Sequence, residues 1–451
     1  MAFDLDDATA RVHPRRSPGS PILGGEVRRS VLPSGLRVVT EHIPGSRTFS
    51  VGCYIDVGSR HETDAVHGAS HFLEHVLFKG TARRSAEEIS AAIEGVGGDI
   101  NAYTTKEYTC FYARVLDTDA DLAVDVLTDM LTSSRVLTRD VEAERAVIMD
   151  EIAMHADDPA ETVQELVTAL IFGERGLGRP VIGSVRSISS LTRAQIVRHW
   201  RRHYRASSIV VSAAGHVDHD RLVDQLGVFD QLPEVADPTR STPTRILDEG
   251  AVVTQIRPFE QCTAALALPS PGVFDDRRYP LALLSMILGG GMSSRLFVEI
   301  RERRGLSYGI DADEVAYSDA GVWSVDWQCA PDKLAEILTL VRSILADVAE
   351  HGVNDSELAR AKGQMRGQTI LSLEGPSSRM SRLGVNTLTR DERSVGDLLD
   401  RFDAVTADEL QREAAALFAH RPVLAVVGPR VARRTLEGLL DDWVTAESEA
   451  R

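Results

Sequence analysis

Two histidines four residues apart flank a glutamate in the segment His71-Phe72-Leu73-Glu74-His75. On an α-helix, side chains four positions apart lie on the same face, so both imidazoles can reach one point with the carboxylate beside them. The apolar residues in and after the segment indicate a buried helix, where unpaired charged groups are costly. The segment therefore predicts a buried metal site. The competing interpretation is a pair of ordinary core histidines beside a surface glutamate.

Zinc is the ion that this set of ligands favours, although manganese or cobalt could occupy the same ligands. A zinc ion that keeps one position open needs a third protein ligand. Residues 138–155 predict a later helix on which Glu144 and Glu151, seven positions apart, share a face. A carboxylate from such a helix could complete the site, or both could be ordinary glutamates of a charged helix.

The elements that carry these residues belong to a long chain. With 451 residues the protein predicts two domains rather than one core. The net charge of -17 argues against a nucleic-acid partner. No apolar run is long enough to cross a bilayer, which predicts a protein without a membrane anchor. The acidic N-terminal segment and four widely spaced cysteines favour a reduced, cytoplasmic location.

The order of predicted elements repeats along the chain. A helix and strand that end at Gly215 match a helix and strand that end at Gly428, an offset of 428 minus 215, or 213 residues. This predicts an internal duplication and an α+β fold, with two duplicated α/β domains that each contain a sheet flanked by helices. Where the first half has its histidine helix, residues 281–288 of the second half are apolar and offer no metal ligand.

Composition sets the predicted domain boundaries. We expect an N-terminal tail over residues 1–25 and a metal-bearing domain over 26–231. Residues 232–250 are rich in proline and polar side chains and predict a linker. The homologous domain without metal ligands then occupies 251–451.

The motif together with Glu151 resembles the inverzincin peptidases of the pitrilysin and insulysin family. The two-half chain looks most like the branch that contains the beta subunit of mitochondrial processing peptidase and its bacterial relatives. The resemblance extends from about residue 26 to 443. It implies a zinc endopeptidase for short or unfolded peptides, with each chain forming half of a clam-like chamber.

The resemblance also implies roles for individual residues. His71, His75 and Glu151 correspond to the ligands of one Zn²⁺ per chain. Glu74 corresponds to the general base that takes a proton from water at the zinc, and Glu144 to a carboxylate that supports a ligand.

Substrate contacts follow from the same comparison. Asn101 and Ala102 resemble the family's substrate-binding edge strand, although an ordinary core strand would look the same. Arg301 and Tyr308 resemble the pair that faces the zinc from the second half, although a solvated helix end is the usual reading of such an arginine-rich run. A chain with two halves is then expected to close its chamber as a homodimer, with Arg301 and Tyr308 acting on the partner's site.

Two alternatives stay open at this point. The chain could be a noncatalytic partner subunit or a peptide-binding cage with a structural metal, although such sites usually use cysteines and none lies near the motif. It could also be a processing subunit that requires a different partner chain. The glycine loop at 289–292 is shorter than the loop of the noncatalytic processing subunit, which favours a catalytic chain.

Overall fold

A computed structural model gives the fold of most of the chain. The described residues are 15–18, 24–232, 243–391, 393–441 and 443. Most of the predicted tail and of the predicted linker lies outside these residues. Within the tail, Arg15–Pro18 forms a strand that pairs with Glu26–Val31. The first sheet therefore extends into the predicted tail. The added strand pairs with backbone groups of Glu26–Val31 that would otherwise be open at the edge of the sheet.

Twelve strands and fifteen α-helices are present in the described ranges. The strands are β1 Arg15–Pro18, β2 Glu26–Val31, β3 Arg37–His42, β4 Thr48–Ile55, β5 Asp99–Thr104, β6 Thr109–Leu116, β7 Ile209–Gly215, β8 Ala251–Ile256, β9 Cys262–Ser270, β10 Ile310–Ala316, β11 Gly321–Cys329 and β12 Val423–Gly428. The helices are α1 Ala69–Leu77, α2 Ala86–Glu94, α3 Ala120–Ser133, α4 Thr138–Asp157, α5 Pro159–Phe172, α6 Val185–Ser190, α7 Arg193–His203, α8 His219–Gln225, α9 Arg278–Leu288, α10 Leu334–His351, α11 Asp355–Ser372, α12 Pro376–Thr389, α13 Val395–Ala404, α14 Ala407–Phe418 and α15 Arg433–Asp441.

Two sheets with the same strand order confirm the predicted duplication. The first has the order β1-β2-β3-β7-β4-β6-β5, and the second has the order β8-β12-β9-β11-β10 when read in the same direction. Strands β3 and β7 run parallel, as do β8 and β12, and the other neighbours are antiparallel. Five consecutive strands of the first sheet thus have counterparts in the second, and the α+β fold is confirmed.

Equivalent glycines end the matching strands β7 and β12. Gly215 has φ +115° and Gly428 has φ +151°. A side chain would place Cβ 2.1 Å from the carbonyl oxygen of Thr48 in the first case and 2.6 Å from that of Gln261 in the second. Both positions therefore require glycine, because a Cβ would collide with backbone that cannot move away.

The compact units differ from the predicted boundaries, because each half of the chain contributes a segment to the other unit. Residues 153–179 pack in the second unit, and residues 370–397 pack in the first. Helix α5 covers β9 and β12, while α12 covers β3, β4 and β7. The starts of the two helices differ by 376 minus 159, or 217 residues, so they are equivalent elements of the duplication.

Apolar packing explains why the helices are exchanged. Val163, Val167 and Ile171 of α5 form one buried cluster with alanines and valines of the second sheet. On the first sheet, Gly384 of α12 lies so close to the ring of Tyr54 that a Cβ would be 2.2 Å away. No helix in the described part of the chain has the length and apolar character needed to cross a membrane.

Candidate metal centre

Helix α1 carries the histidine motif and is packed into the core of the first unit. Phe72, Leu73, Val76 and Leu77 are all fully buried in its main apolar cluster. The residue before the helix, Gly68, has φ +88°, and a Cβ there would lie 2.6 Å from Cδ1 of Ile188. The helix can approach its neighbours this closely because glycine begins it.

A buried carboxylate caps the start of α1. The two oxygens of Glu62 accept hydrogen bonds from the backbone N–H groups of Gly68 and Ser70, each at 2.7 Å. The hydroxyl of Ser70 lies 3.0 Å from Nε2 of His199 on α7. A negative charge at a helix N-terminus satisfies free N–H groups and interacts favourably with the helix dipole. These contacts fix the start of the helix beside His71.

Helix α4 brings the remote carboxylates to α1. Glu144 and Ile148 are buried on the face that meets the core. Arg145 anchors the helix, because its guanidinium donates to the carbonyl oxygens of Ile188 and Leu191 and lies over the ring of Phe72. Glu151, six residues after Arg145 on the same helix, is half-buried.

Three side chains from these helices converge on one point. Nε2 of His71 lies 3.7 Å from Oε2 of Glu151, and Nε2 of His75 lies 3.6 Å from the same oxygen. The three ligand atoms are within 4.8 Å of one another, and no other such group occurs among the described residues. Two ligands about 2.1 Å from a tetrahedral zinc ion are about 3.4 Å apart. The spacing therefore fits a zinc ion with little movement.

The chemistry of the donors fits a cation as well. Oε2 of Glu151 is buried, and no described residue donates a hydrogen bond to it. A buried carboxylate oxygen without a donor is costly, and a bound cation would compensate it. With three protein ligands, a tetrahedral ion would keep a fourth position for another molecule.

His75 is oriented by a carboxylate behind it. Its Nδ1 lies 3.0 Å from Oε2 of Glu144, which is 5% exposed. An Nδ1–H that donates to this carboxylate leaves the lone pair of Nε2 directed towards Glu151. The other oxygen of Glu144 lies 2.7 Å from Nζ of Lys79.

Glu74 lies beside the three converging side chains. The hydroxyl of Thr104, the last residue of β5, donates to its Oε2 at 2.5 Å. Burial raises the pKa of Glu74, and the nearby carboxylate of Glu151 adds to the rise. The Thr104 hydrogen bond and the imidazole of His75 lower it in part. A carboxylate with a raised pKa can take up and release a proton nearer to neutral pH.

Asn101 and Ala102 lie on β5, which pairs only with β6 among the described strands and is thus the edge of its sheet. Asn101 is exposed, and its Oδ1 accepts a hydrogen bond from the N–H of Ala102 at 2.8 Å. The Asn101 side chain therefore satisfies a backbone N–H that would otherwise lack a partner at the edge of the sheet. Because β5 also carries Thr104, the edge is joined directly to Glu74.

Arg301 and Tyr308 belong to the second unit, whereas the predicted metal ligands belong to the first. The guanidinium of Arg301 lies 4.7 Å from the centre of the Phe297 ring and 5.1 Å from that of Tyr308. Tyr308 is 87% exposed. The structure thus brings these two predicted residues together, and their role at a partner's site stays a prediction.

Two residues of the centre were not predicted from the sequence. Lys79 follows His75 by four positions, so helical spacing could have identified it as a neighbour of the same carboxylate. Glu62 precedes the helix by a loop, and no local pattern relates it to Gly68 and Ser70. Its role depends on the path of that loop.

Comparison with protein families gives two matches that together cover most of the chain. Residues 37–185 match the insulinase family of peptidases, peptidase family M16, and residues 190–365 match the inactive domain of peptidase M16. The first match contains every residue of the candidate metal centre, and the second contains Arg301 and Tyr308.

Relatives and solved structures extend the similarity to the whole length. An uncharacterized zinc protease of Streptomyces coelicolor is 45% identical over 90% of this chain and 90% of its own. One of Mycobacterium tuberculosis is 42% identical over 94% of this chain and 98% of its own. A crystal structure of a protease from Helicobacter pylori has a TM-score of 0.85 at 21% identity, covering 92% of this chain and 100% of the other. A peptidase M16 inactive domain from Pseudomonas fluorescens has a TM-score of 0.81 at 18% identity over 94% and 99%.

Proposed function

Because the chain belongs to the insulinase family of peptidases, peptidase family M16, we propose that it is a zinc-dependent endopeptidase for short or unfolded peptides. The names of its relatives as zinc proteases support this proposal. The observation that carries it is the convergence of two imidazole nitrogens and one carboxylate oxygen next to Glu74. A closer relation to mitochondrial processing peptidase stays part of the proposal.

In this proposal His71, His75 and Glu151 hold one zinc ion per chain. When bound, zinc supplies a Lewis acid that acidifies water and polarises a peptide carbonyl. Glu144 keeps His75 in the tautomer whose Nε2 is free to bind a cation. A cage with a structural metal fits less well, because structural zinc sites use four protein ligands and this cluster offers three among the described residues.

Glu74 moves the proton. Its Oε2 accepts a hydrogen bond from the hydroxyl of Thr104. The other oxygen, Oε1, can therefore take a proton from the attacking water. The same carboxyl group then delivers that proton to the nitrogen of the leaving amine. Burial that raises the pKa of Glu74 favours both steps, because the protonated form must persist between them.

We propose that the peptide binds as an added strand along β5. Strand addition binds a peptide through hydrogen bonds to its backbone, so the substrate must be extended. Folded proteins are therefore excluded as substrates. The peptide would replace the hydrogen bond between the N–H of Ala102 and Oδ1 of Asn101 with a hydrogen bond to its own backbone. Since Thr104 lies on the same strand, this binding mode places the peptide backbone next to Glu74.

The decisive experiment is the substitution Glu74→Gln. We expect loss of hydrolysis of a quenched fluorescent peptide, while zinc content by metal analysis stays at one ion per chain. The matched control is Glu94→Gln, an exposed glutamate at the end of α2, which should keep full activity. Chelation should abolish wild-type activity, and added zinc should restore it. Turnover by Glu74→Gln would contradict the proposed base.

The proposed assembly is a homodimer in which Arg301 and Tyr308 act on the partner's peptide. Mixed dimers of Glu74→Gln and Arg301→Ala chains should recover part of the activity, because one of their two sites would have all its residues. Activity in the wild-type homodimer would also exclude a need for a different partner chain. We propose the cytoplasm as the compartment, where the four buried free cysteines would stay reduced.

A further inference from the structure

Lys79 stands behind the metal ligands without contacting the point where they converge. Its Nζ lies 2.7 Å from Oε1 of Glu144, while Oε2 of the same carboxylate lies 3.0 Å from Nδ1 of His75. We propose that Lys79 is a positioning residue that sets zinc affinity through Glu144, an inference that rests on the proposed zinc site.

The first step is the placement of the two donors. Lys79 lies four positions after His75, just beyond the end of α1, and its N–H still donates to the carbonyl oxygen of Val76. The His75 side chain therefore extends from the last turn of α1, and that of Lys79 extends from the turn that follows the helix. They hold one carboxylate at both of its oxygens, so Glu144 cannot rotate without breaking one of the two bonds.

The second step is the burial of Glu144. Its side chain is 7% exposed, whereas that of Lys79 is 38% exposed. A carboxylate removed from water needs a partner for its charge, and a neutral imidazole alone does not supply one. The ammonium group of Lys79 supplies that charge from the solvent side. It also lies near the carbonyl end of α1, where a positive charge is favoured.

The third step links the carboxylate to the ligands on both helices. Glu144 orients the ring of His75 on α1, and it lies seven residues, or almost two turns, before Glu151 on α4. The contacts of Lys79 and His75 with Glu144 therefore set the position of α4 along α1. Without Lys79 the carboxylate would turn towards water, and both His75 and Glu151 would lose their fixed positions.

The test measures zinc affinity rather than activity. We expect Lys79→Met, which keeps the length of the side chain, to raise the zinc dissociation constant about tenfold in competition with a chromophoric chelator. Lys79→Arg should restore affinity to within about threefold of wild type, because it returns the charge. Lys333→Met, which removes a half-exposed lysine of the second unit, should match wild type.

A double variant separates this role from general stability. If Lys79 acts through Glu144, then Lys79→Met combined with Glu144→Gln should bind zinc as weakly as Glu144→Gln alone. The metal-free Lys79→Met protein should melt below wild type, because it loses the charge that compensates the buried carboxylate of Glu144. The double variant, which has no carboxylate at position 144, should melt closer to wild type and still bind zinc weakly.

Three results would overturn the inference: zinc affinity of Lys79→Met within twofold of wild type, no recovery in Lys79→Arg, or losses that add in the double variant. If the wild-type chain binds no zinc at all, the proposed function fails instead. The two failures are therefore distinguishable in one set of titrations.

Discussion

Because Glu62 caps α1, the helix that carries the histidine motif is expected to depend on a residue outside it. Glu62→Gln keeps the size of the side chain but removes its charge. The glutamine has one carbonyl oxygen to accept a hydrogen bond, so it can serve either the N–H of Gly68 or that of Ser70 and not both. Its NH₂ group would then face the second N–H.

The magnitude follows from the two bonds. A hydrogen bond to a charged acceptor contributes about 1.5–3 kcal/mol, and a neutral one about 1 kcal/mol. Loss of one charged bond, with the other reduced to a neutral bond, therefore costs about 2–5 kcal/mol. For a unit of this size each kcal/mol lowers the melting temperature by about 2–4 °C. We expect the metal-free variant to melt about 4–20 °C below wild type.

Thermal unfolding of the chelator-treated protein, followed by circular dichroism, measures this effect. Glu94→Gln, at an exposed position, should change the midpoint by about 1 °C or less. Zinc affinity should fall together with stability, because Ser70, whose N–H donates to Glu62, is the residue before His71. A Glu62→Gln protein that melts within 2 °C of wild type would refute the assignment of the cap.

Three further predictions concern the same unit. Glu151→Gln should raise the zinc dissociation constant by more than about 100-fold in the chelator competition, while its exposed neighbour variant Asp150→Asn should match wild type. Gly68→Ala should lower the free energy of unfolding in urea by about 2–4 kcal/mol, whereas Gly97→Ala, at φ +72° with open space around it, should cost about 1 kcal/mol; equal losses would contradict the steric reason. Burial, with nearby positive groups, lowers the pKa of His199 to about 3, so the unfolded chain binds more protons below about pH 6.5. Stability should therefore be complete above pH 6.5 and fall as the pH decreases towards 3, and His199→Gln should reduce that fall in urea midpoints measured across the range.

The resemblance to the pitrilysin and insulysin family, read from one short motif and a remote glutamate, is confirmed by the family matches. The motif was readable because an α-helix has a fixed period, so spacing alone places His71 and His75 on one face. The same period placed Glu144 and Glu151 together on the later helix. The duplication was readable because equivalent glycines end matching strands 213 residues apart by the count from Gly215 to Gly428.

The domain boundaries were not readable in this way. The sequence divides at a proline-rich segment, whereas the compact units exchange residues 153–179 and 370–397. A helix of 14 residues with one apolar face can cover either of two similar sheets. Which sheet it covers depends on packing such as that of Gly384 against Tyr54, and no local pattern records such a contact.

The sequence by itself therefore predicted which side chains converge at the candidate metal centre, because their spacing follows from helix geometry within short segments. Only the tertiary structure decided what holds them in place. Glu62 and Thr104 reach the motif from a preceding loop and from the edge strand β5, and Lys79 matters because Glu144 of α4 lies against it. These contacts join residues that are distant along the chain or belong to separate elements, and the free energy of packing the whole unit brings them together.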